Sequence, residues 1–266
     1  MNTLTQQINF RKDNLDVSVY KQTQQMGIAA AEFVANKLNQ AIVQKGEANL
    51  ILATGASQFP FLEALQNKNI EWNKIIVFHL DEYKGISIEH PASFRKYLKE
   101  RILDNVKPKK VYLLEGDAEN LEQVISEYEK LLQSHPIDIA CIGIGENGHI
   151  AFNDPPVANF NDPKLVKVVE LDHKCRMQQY GEGWFPTLED VPKEAISLTI
   201  TAIMNCKAIS CVVPDERKAE AVYNTLHGEI STEYPASILR KHPDCSLFLD
   251  LASAEKSLTA DIISKK

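Results

Sequence analysis

Near the middle of the chain a short, mostly apolar run, Ile139 to Ile144, passes directly into Gly145-Glu146-Asn147-Gly148-His149. Such a run reads as a strand buried on both faces, and strands of that kind belong to parallel sheets covered by helices on each side. Parallel neighbours need crossover connections, so this feature commits the rest of the chain to alternating strands and helices. Gly143, Gly145 and Gly148 fall within six residues, which points to positive φ angles or close approach of the backbone to a ligand. His149 stands among them, with Asn147 before it and Asp154 five residues after it. At the carboxyl end of a parallel strand, where open α/β sheets hold their ligands, these residues suit a proton-transfer site. The plainer alternative is a histidine hydrogen-bonded into its turn.

The required alternation is visible along the chain. Apolar residues recur at helical spacing from Ser18 to Gln44, and Lys45-Gly46 ends that helix. Asn49 to Ala53 reads as a buried strand running into Thr54-Gly55-Ala56-Ser57-Gln58, after which a helix begins at Phe61. Backbone N–H groups at such a helix start, with the Thr54 and Ser57 hydroxyls beside them, can receive a phosphate, although T-G-x-S is equally a helix cap. Lys74 to Leu80 is a β-branched and aromatic strand followed at once by Asp81 and Glu82. That acidic pair suits a helix cap, a solvated loop or a catalytic base. A helix from Ser93 to Ile102, a strand from Val111 to Leu114 and a helix from Glu119 to Leu132 precede the central strand. Ser197 to Ile203 and the strands Ala208 to Val213 and Ser246 to Leu251 continue the pattern. The expected fold is a three-layer, Rossmann-like α/β structure, a parallel sheet with helices on both faces. With 44% hydrophobic and 24% charged residues and no composition shift to mark a linker, residues 1–266 are expected to form one domain.

Composition also narrows function. A formal charge of −7 gives no general attraction to nucleic acid or an anionic membrane, so an anionic substrate needs a local basic site. Cys141, Cys175, Cys206, Cys211 and Cys245 form no C-x-x-C pair, which argues for reduced thiols and against a metal site. The amino terminus, MNTLTQQINFRKDN, has no apolar signal core, and no later run is long enough to span a bilayer. The expectation is a soluble, cytoplasmic protein, and homo-oligomerisation is compatible with it.

The segment GIGENGHIAFNDP, Gly143 to Pro155, resembles the glucosamine-6-phosphate deaminase signature G-x-G-x-(D/N)-G-H-I-(A/G)-F-N-E-P; the related 6-phosphogluconolactonases carry G-H-T-A-S-L-F instead. LDEYKGISIEHPASFRKYL resembles the deaminase motif D-E-Y-x-G-L-x-x-x-H-P-x-S-(Y/F), matching at Asp81, Glu82, Tyr83, Gly85, His90, Pro91, Ser93 and Phe94. Thr54 to Gln58 resembles the family's T-G-G-(S/T)-P phosphate loop in part, with Ala56 at the second glycine and Gln58 at the proline. The likeness extends over roughly Asn49 to Leu251.

The resemblance implies deamination with isomerisation of an amino-sugar phosphate to a ketose phosphate and ammonia, with no organic cofactor or metal. It implies Asp81 as the base at C2, with Glu82 beside it as a substrate contact, and His149 as the group that opens the pyranose ring, oriented by Asp154 and Asn147. Thr54, Gly55, Ala56 and Ser57 would form the phosphate loop, Lys218 would match the lysine of the family's G-x-x-K-A turn, and Arg176 would be its phosphate-holding arginine. The stretch Gln178 to Phe185 looks like an insertion after that arginine. Two departures stand out. Asn147 replaces a frequent aspartate, and Asp154 replaces the usual glutamate, one methylene longer, so it either reaches His149 through a moved backbone or misses it. The competing readings are a lactonase acting on a phosphorylated sugar lactone and a catalytically silent sugar-phosphate-binding regulator. The DEY and GHIAFN motifs disfavour the first, and the retained Asp81 and His149 argue against the second.

Overall fold

The computed structural model describes residues 7–264; residues 1–6 and 265–266, including the start of the polar amino-terminal stretch, lie outside the described residues. The chain begins with a hairpin, β1 (Ile8–Lys12) and β2 (Leu15–Tyr20), and continues through α1 (Thr23–Lys45), β3 (Ala48–Leu52), α2 (Phe59–Gln66) and β4 (Ile75–His79). Next come β5 (Asp81–Tyr83), α3 (Phe94–Leu98), a π-helical turn (Lys99–Leu103), α4 (Asp104–Val106), β6 (Lys110–Tyr112), α5 (Leu121–Ser134) and β7 (Ile139–Ile142). The remainder holds β8 (Val166–Glu170), α6 (His173–Gly181), β9 (Glu194–Leu198), α7 (Ile200–Met204), β10 (Ile209–Val213), α8 (Ala219–His227), β11 (Cys245–Asp250) and α9 (Leu251–Ser264).

Among the described residues the main sheet has eight strands in the order β1-β2-β11-β10-β7-β3-β4-β6, parallel throughout except for the β1–β2 hairpin. From β3 the chain steps outward through β4 and β6, then returns to the other side of β3 as β7 and steps outward again through β10 and β11. The winding direction therefore reverses between β3 and β7, and the loops leaving these two strands diverge to open a crevice at their carboxyl ends. β3, β4, β7 and β10 are buried along their whole length, as their mostly apolar sequences require. On one face α1 and α2 lay Met26, Leu38, Phe61 and Leu65 against Leu50 and Val77. On the other, α5, α8 and α9 bring Leu132, Val222 and Ala254 to the side of Ile51, Ile142 and Leu247.

Two features go beyond the alternation read from the sequence. The helix expected from Ser18 starts at Thr23, because Leu15, Val17 and Val19 alternate with less buried residues and pair in parallel with β11. A second, antiparallel sheet of order β5-β9-β8 also forms, so Asp81-Glu82-Tyr83 is itself a strand, not a loop after one. Among the described residues no helix is long and apolar enough to cross a membrane.

The packing of α1 on α2 depends on Gly27, where an added Cβ would lie 2.6 Å from the Pro60 carbonyl carbon. Gly27→Ala is accordingly expected to destabilise the fold by about 1–3 kcal/mol, the usual cost of overpacking. A denaturant titration checks this, and an unchanged midpoint would show that the two helices have room to separate.

Candidate active site

The crevice between the β3 and β7 loops holds a cleft with an empty volume of about 540 Å³, its mouth included. Thr54, Gly55, Ser57 and Gln58 line it from the β3 side, Gly143, Gly145 and His149 from the β7 side, and Asp81 from the start of β5. Lys218 lines it from the 3-10 turn Glu216–Lys218 that enters α8. Ala56, Glu82, Asn147, Asp154 and Arg176, all expected at the site, do not line this cleft.

Asn147 and Asp154 stand behind His149. The His149 Nδ1 lies 2.8 Å from Asp154 Oδ1 and 2.6 Å from Asn147 Oδ1. Both neighbours are acceptors, so the Nδ1 position carries the proton and Nε2 is left for the cleft. Asn147 Nδ2 donates to Asp154 Oδ1 at 2.9 Å and to Asp172 Oδ2 at 3.0 Å, while the Asp172 backbone N–H donates to Asp154 Oδ2 at 3.1 Å. Burial alone would raise the Asp154 pKa, but His149 and these hydrogen bonds reverse the effect and hold it below the usual carboxylate value. The shorter side chain reaches its target because the chain doubles back: Ala151 takes φ 49°, and Ile150 bridges to Asn153. Gly145 is equally constrained, since a Cβ there would sit 2.1 Å from the imidazole Cε1.

Asp81 and Glu82 share a strand but have opposite environments. The Glu82 carboxylate, fully buried, accepts from Tyr83 N, Phe94 N, Arg95 N, Arg95 Nε and the Ser93 hydroxyl at 2.9–3.2 Å. Five donors leave it no capacity for substrate; instead of the expected substrate contact it is the anchor that ties β5 to the start of α3. Asp81, 6% exposed, has no hydrogen bond or ion pair to its carboxylate among the described residues. Burial, and then the neighbouring Glu82 charge, push its pKa up to about 8.

Lys218 is 2% exposed, and among the described residues no carboxylate lies within 4.0 Å of its Nζ. Burial pulls its pKa down, with the Glu182 and Glu146 charges opposing. Arg176 departs from expectation: its guanidinium donates to the carbonyls of Leu188 at 2.7 Å and Val191 at 3.1 Å, fastening the entry to β9. Arg217 is paired with Asp215 and Glu146.

One group among the described residues has ligand atoms close enough for a metal ion: His149, Asp154 and Cys175, within 4.8 Å of one another. His149 and Asp154 already bond to each other, and burial pushes the Cys175 thiol well up, so that it stays protonated beside Asp154. A hydrogen-bonded proton relay accounts for this cluster.

Residues 21–247 match the model of a family described as glucosamine-6-phosphate isomerases/6-phosphogluconolactonase. The chain belongs to this family. A glucosamine-6-phosphate deaminase from an Exiguobacterium species is 37% identical over 85% of this chain and 87% of its own length. One from Clostridium acetobutylicum is 35% identical over 85% and 94%. The solved structure of a monomeric glucosamine-6-phosphate deaminase superposes with a TM-score of 0.82 at 32% identity, covering 90% of this chain and 99% of that one. A putative 6-phosphogluconolactonase from Neisseria gonorrhoeae, 21% identical with a TM-score of 0.70 over 88% of this chain and 98% of its own, shares the fold.

Within this family's scaffold, the cleft also has walls that motif matching missed. Gln178, Gln179 and Glu182, from α6 and the residue after it, line it opposite the β3 loop. Gln179 Oε1 accepts from the Tyr83 hydroxyl at 2.7 Å, and Gln178 Oε1 from Glu146 N at 2.9 Å, which hold α6 in place. The sequence signal was the unusual polar stretch Gln178 to Trp184, whose position in space no spacing rule supplies.

The uncompensated Asp81 carboxyl has a consequence for stability. Its folded-state pKa of about 8 lies above the ordinary value of 3.8, so the fold favours the protonated form. That contribution is complete below about pH 4 and is lost as pH rises to about 8. Asp81→Asn should therefore gain stability over the parent across that interval, with the difference level above it. Parallel melts at pH 5, 7 and 9 test this, and a pH-independent difference would mean that Asp81 is ionised and solvated throughout.

Proposed function

We propose that this chain is a deaminating aldose–ketose isomerase, which takes glucosamine 6-phosphate or a close amino-sugar phosphate, with water, to fructose 6-phosphate or its epimer and ammonia. The observation that carries the reading is that an unpaired carboxyl with a pKa near neutrality faces the same cleft as a histidine whose other nitrogen is fixed by a buried carboxylate. Sugar isomerisation needs these two groups, a base for a carbon-bound proton and an acid–base partner for the ring oxygen. The family membership and the named deaminase relatives support it.

His149 Nε2 takes the proton of the anomeric hydroxyl and passes it to the ring oxygen, giving the open-chain aldehyde, while Asp154 and Asn147 hold the ring through Nδ1. Asp81 then takes the C2 proton and returns it to C1. The C2–nitrogen bond becomes an iminium, water adds at C2, and ammonia leaves as the ketone forms. Desolvation makes Asp81 a stronger base than a carboxylate in water, which this proton requires. Lys218, with the backbone and hydroxyls of Thr54, Gly55 and Ser57, receives the phosphoryl group. The relay needs neither metal nor organic cofactor. Free, buried cysteines and the lack of a membrane-spanning helix among the described residues support a reducing, cytoplasmic setting.

Incubation with a panel of amino-sugar 6-phosphates, with ammonia and ketose phosphate measured together, tests the reading directly. At least one should be deaminated, with kcat/KM rising through about pH 8 as Asp81 ionises. Asp81→Asn should lower kcat by about 100- to 10,000-fold, the usual contribution of a general base, and remove that rising limb. Full turnover by this variant, or no ammonia from any member of the panel, would defeat the assignment.

A further inference from the structure

The Asn147 amide behind His149 has every hydrogen-bonding position in use. Its Oδ1 accepts from the His149 backbone N–H at 3.1 Å and lies 2.6 Å from the ring Nδ1. Its Nδ2 donates to Asp154 Oδ1 at 2.9 Å and to Asp172 Oδ2 at 3.0 Å, which accounts for both of its protons. Turning the amide over would set its oxygen against two carboxylates and its donors against two N–H groups of His149. Asp172 reaches the relay a second way, through its backbone N–H, which donates to Asp154 Oδ2 at 3.1 Å. Both groups that touch Nδ1 are thus tied to one residue. Asp172 does not line the cleft, so it acts on the chemistry through its neighbours.

The other Asp172 oxygen has a separate task. Oδ1 accepts from Cys175 N at 2.6 Å and so caps α6, the helix that carries Gln178 and Gln179 to the cleft wall. A cap needs one acceptor, and a serine supplies it as well as an aspartate does. The second oxygen has no part in the cap. Without it, one Asn147 proton in a partly buried site has no acceptor, and the amide is free to swing off Nδ1 to find one. With it, the Asp172 charge also strengthens the chain of hydrogen bonds that ends on the imidazole.

We propose that Asp172 is a positioning residue for proton transfer at His149: its Oδ2 locks the Asn147 amide with the oxygen toward Nδ1, and so fixes the tautomer and tilt of the imidazole from two hydrogen bonds away. The inference rests on the deaminase reading above and adds a residue to its relay. It also gives Asn147 a physical role that an aspartate at the same position could not fill, since an aspartate has no proton to offer Asp154 or Asp172.

The test uses the full chain and whichever amino-sugar 6-phosphate the panel above shows to be deaminated. Asp172→Ser keeps the cap on α6 and Asp172→Ala removes it, while neither side chain reaches Asn147. Asp172→Ser should lower kcat about 10- to 100-fold, the scale of a slightly misplaced catalytic group, with KM within about threefold of the parent. Asp172→Ala should match that loss in kcat. In both, the proton resonance of His149 Nδ1 should move upfield or broaden in the free protein. A serine variant within about twofold of the parent, with loss only in the alanine variant, would make Asp172 a helix cap and overturn the proposal. A raised KM at unchanged kcat would do the same, because it marks a displaced α6. In an Asn147→Ala background Asp172→Ser should change kcat by less than about twofold, and the full loss there would show that Asp172 does not act through Asn147. The parent gives a reading that needs no variant to fold: both Asn147 Nδ2 protons should exchange slowly with solvent, and one that exchanges freely contradicts the lock. If no amino-sugar phosphate yields ammonia, the deaminase reading fails, while the Nδ1 and Nδ2 resonances still decide the role of Asp172.

Discussion

The site depends on a transfer of backbone pairing at Leu80. Up to His79 the strand β4 belongs to the parallel sheet, and Leu80 N still donates to the Leu52 carbonyl at 3.3 Å. The Leu80 carbonyl instead accepts from Leu198 N at 3.0 Å, and from Asp81 onward the chain pairs antiparallel with β9. One residue thus serves two sheets, and the next, Asp81, is placed in the crevice between them with backbone on both sides. Its burial follows from the sheet geometry, and its raised pKa follows from its burial.

Three buried carboxylates within this region show how local donors divide structural from chemical roles. Glu82 is saturated by five donors and fixes α3. Asp154 is held ionised by His149, Asn147 and the Asp172 backbone, and so acts on the imidazole rather than on a ligand. Asp81 receives no donor among the described residues and is the one whose proton affinity lies near neutral pH. All three are acidic side chains beside glycine-rich or aromatic motifs. The hydrogen bonds around each of them, not their sequence neighbourhood, assign their work.

The apolar runs were enough to reveal the parallel sheet, because strands buried on both faces are mostly apolar, as β3, β4, β7 and β10 are apart from Asn49, His79 and Ser210. The hairpin β1–β2 escaped because Val17 and Val19 merge into the apolar spacing of α1, and the second sheet because β5 spans only Asp81–Tyr83 and its partner β9 lies far along the chain. Asp81, His149, Lys218 and the Thr54 loop come together in one cleft because each sits at the carboxyl end of a strand near the reversal between β3 and β7. Arg176, which the family resemblance implies as a phosphate-holding arginine, faces two carbonyls that only the tertiary structure brings within reach. Glu182 could not be anticipated, since its place in the cleft is set by the length of α6 and by its bonds to Trp184 and Gln178.

The central claim is that the fold itself, before any substrate arrives, raises the proton affinity of Asp81. Carbon-13 NMR of the aspartate side-chain carboxyls, assigned by comparison with Asp81→Asn, reads that quantity in the free protein. A titration midpoint near pH 8 for Asp81, with Asp154 ionised far below it, is the expected result. A midpoint near the ordinary value of 3.8 would contradict the account, because it would mean that water or an unseen donor compensates the carboxylate and that the crevice does not prepare the base.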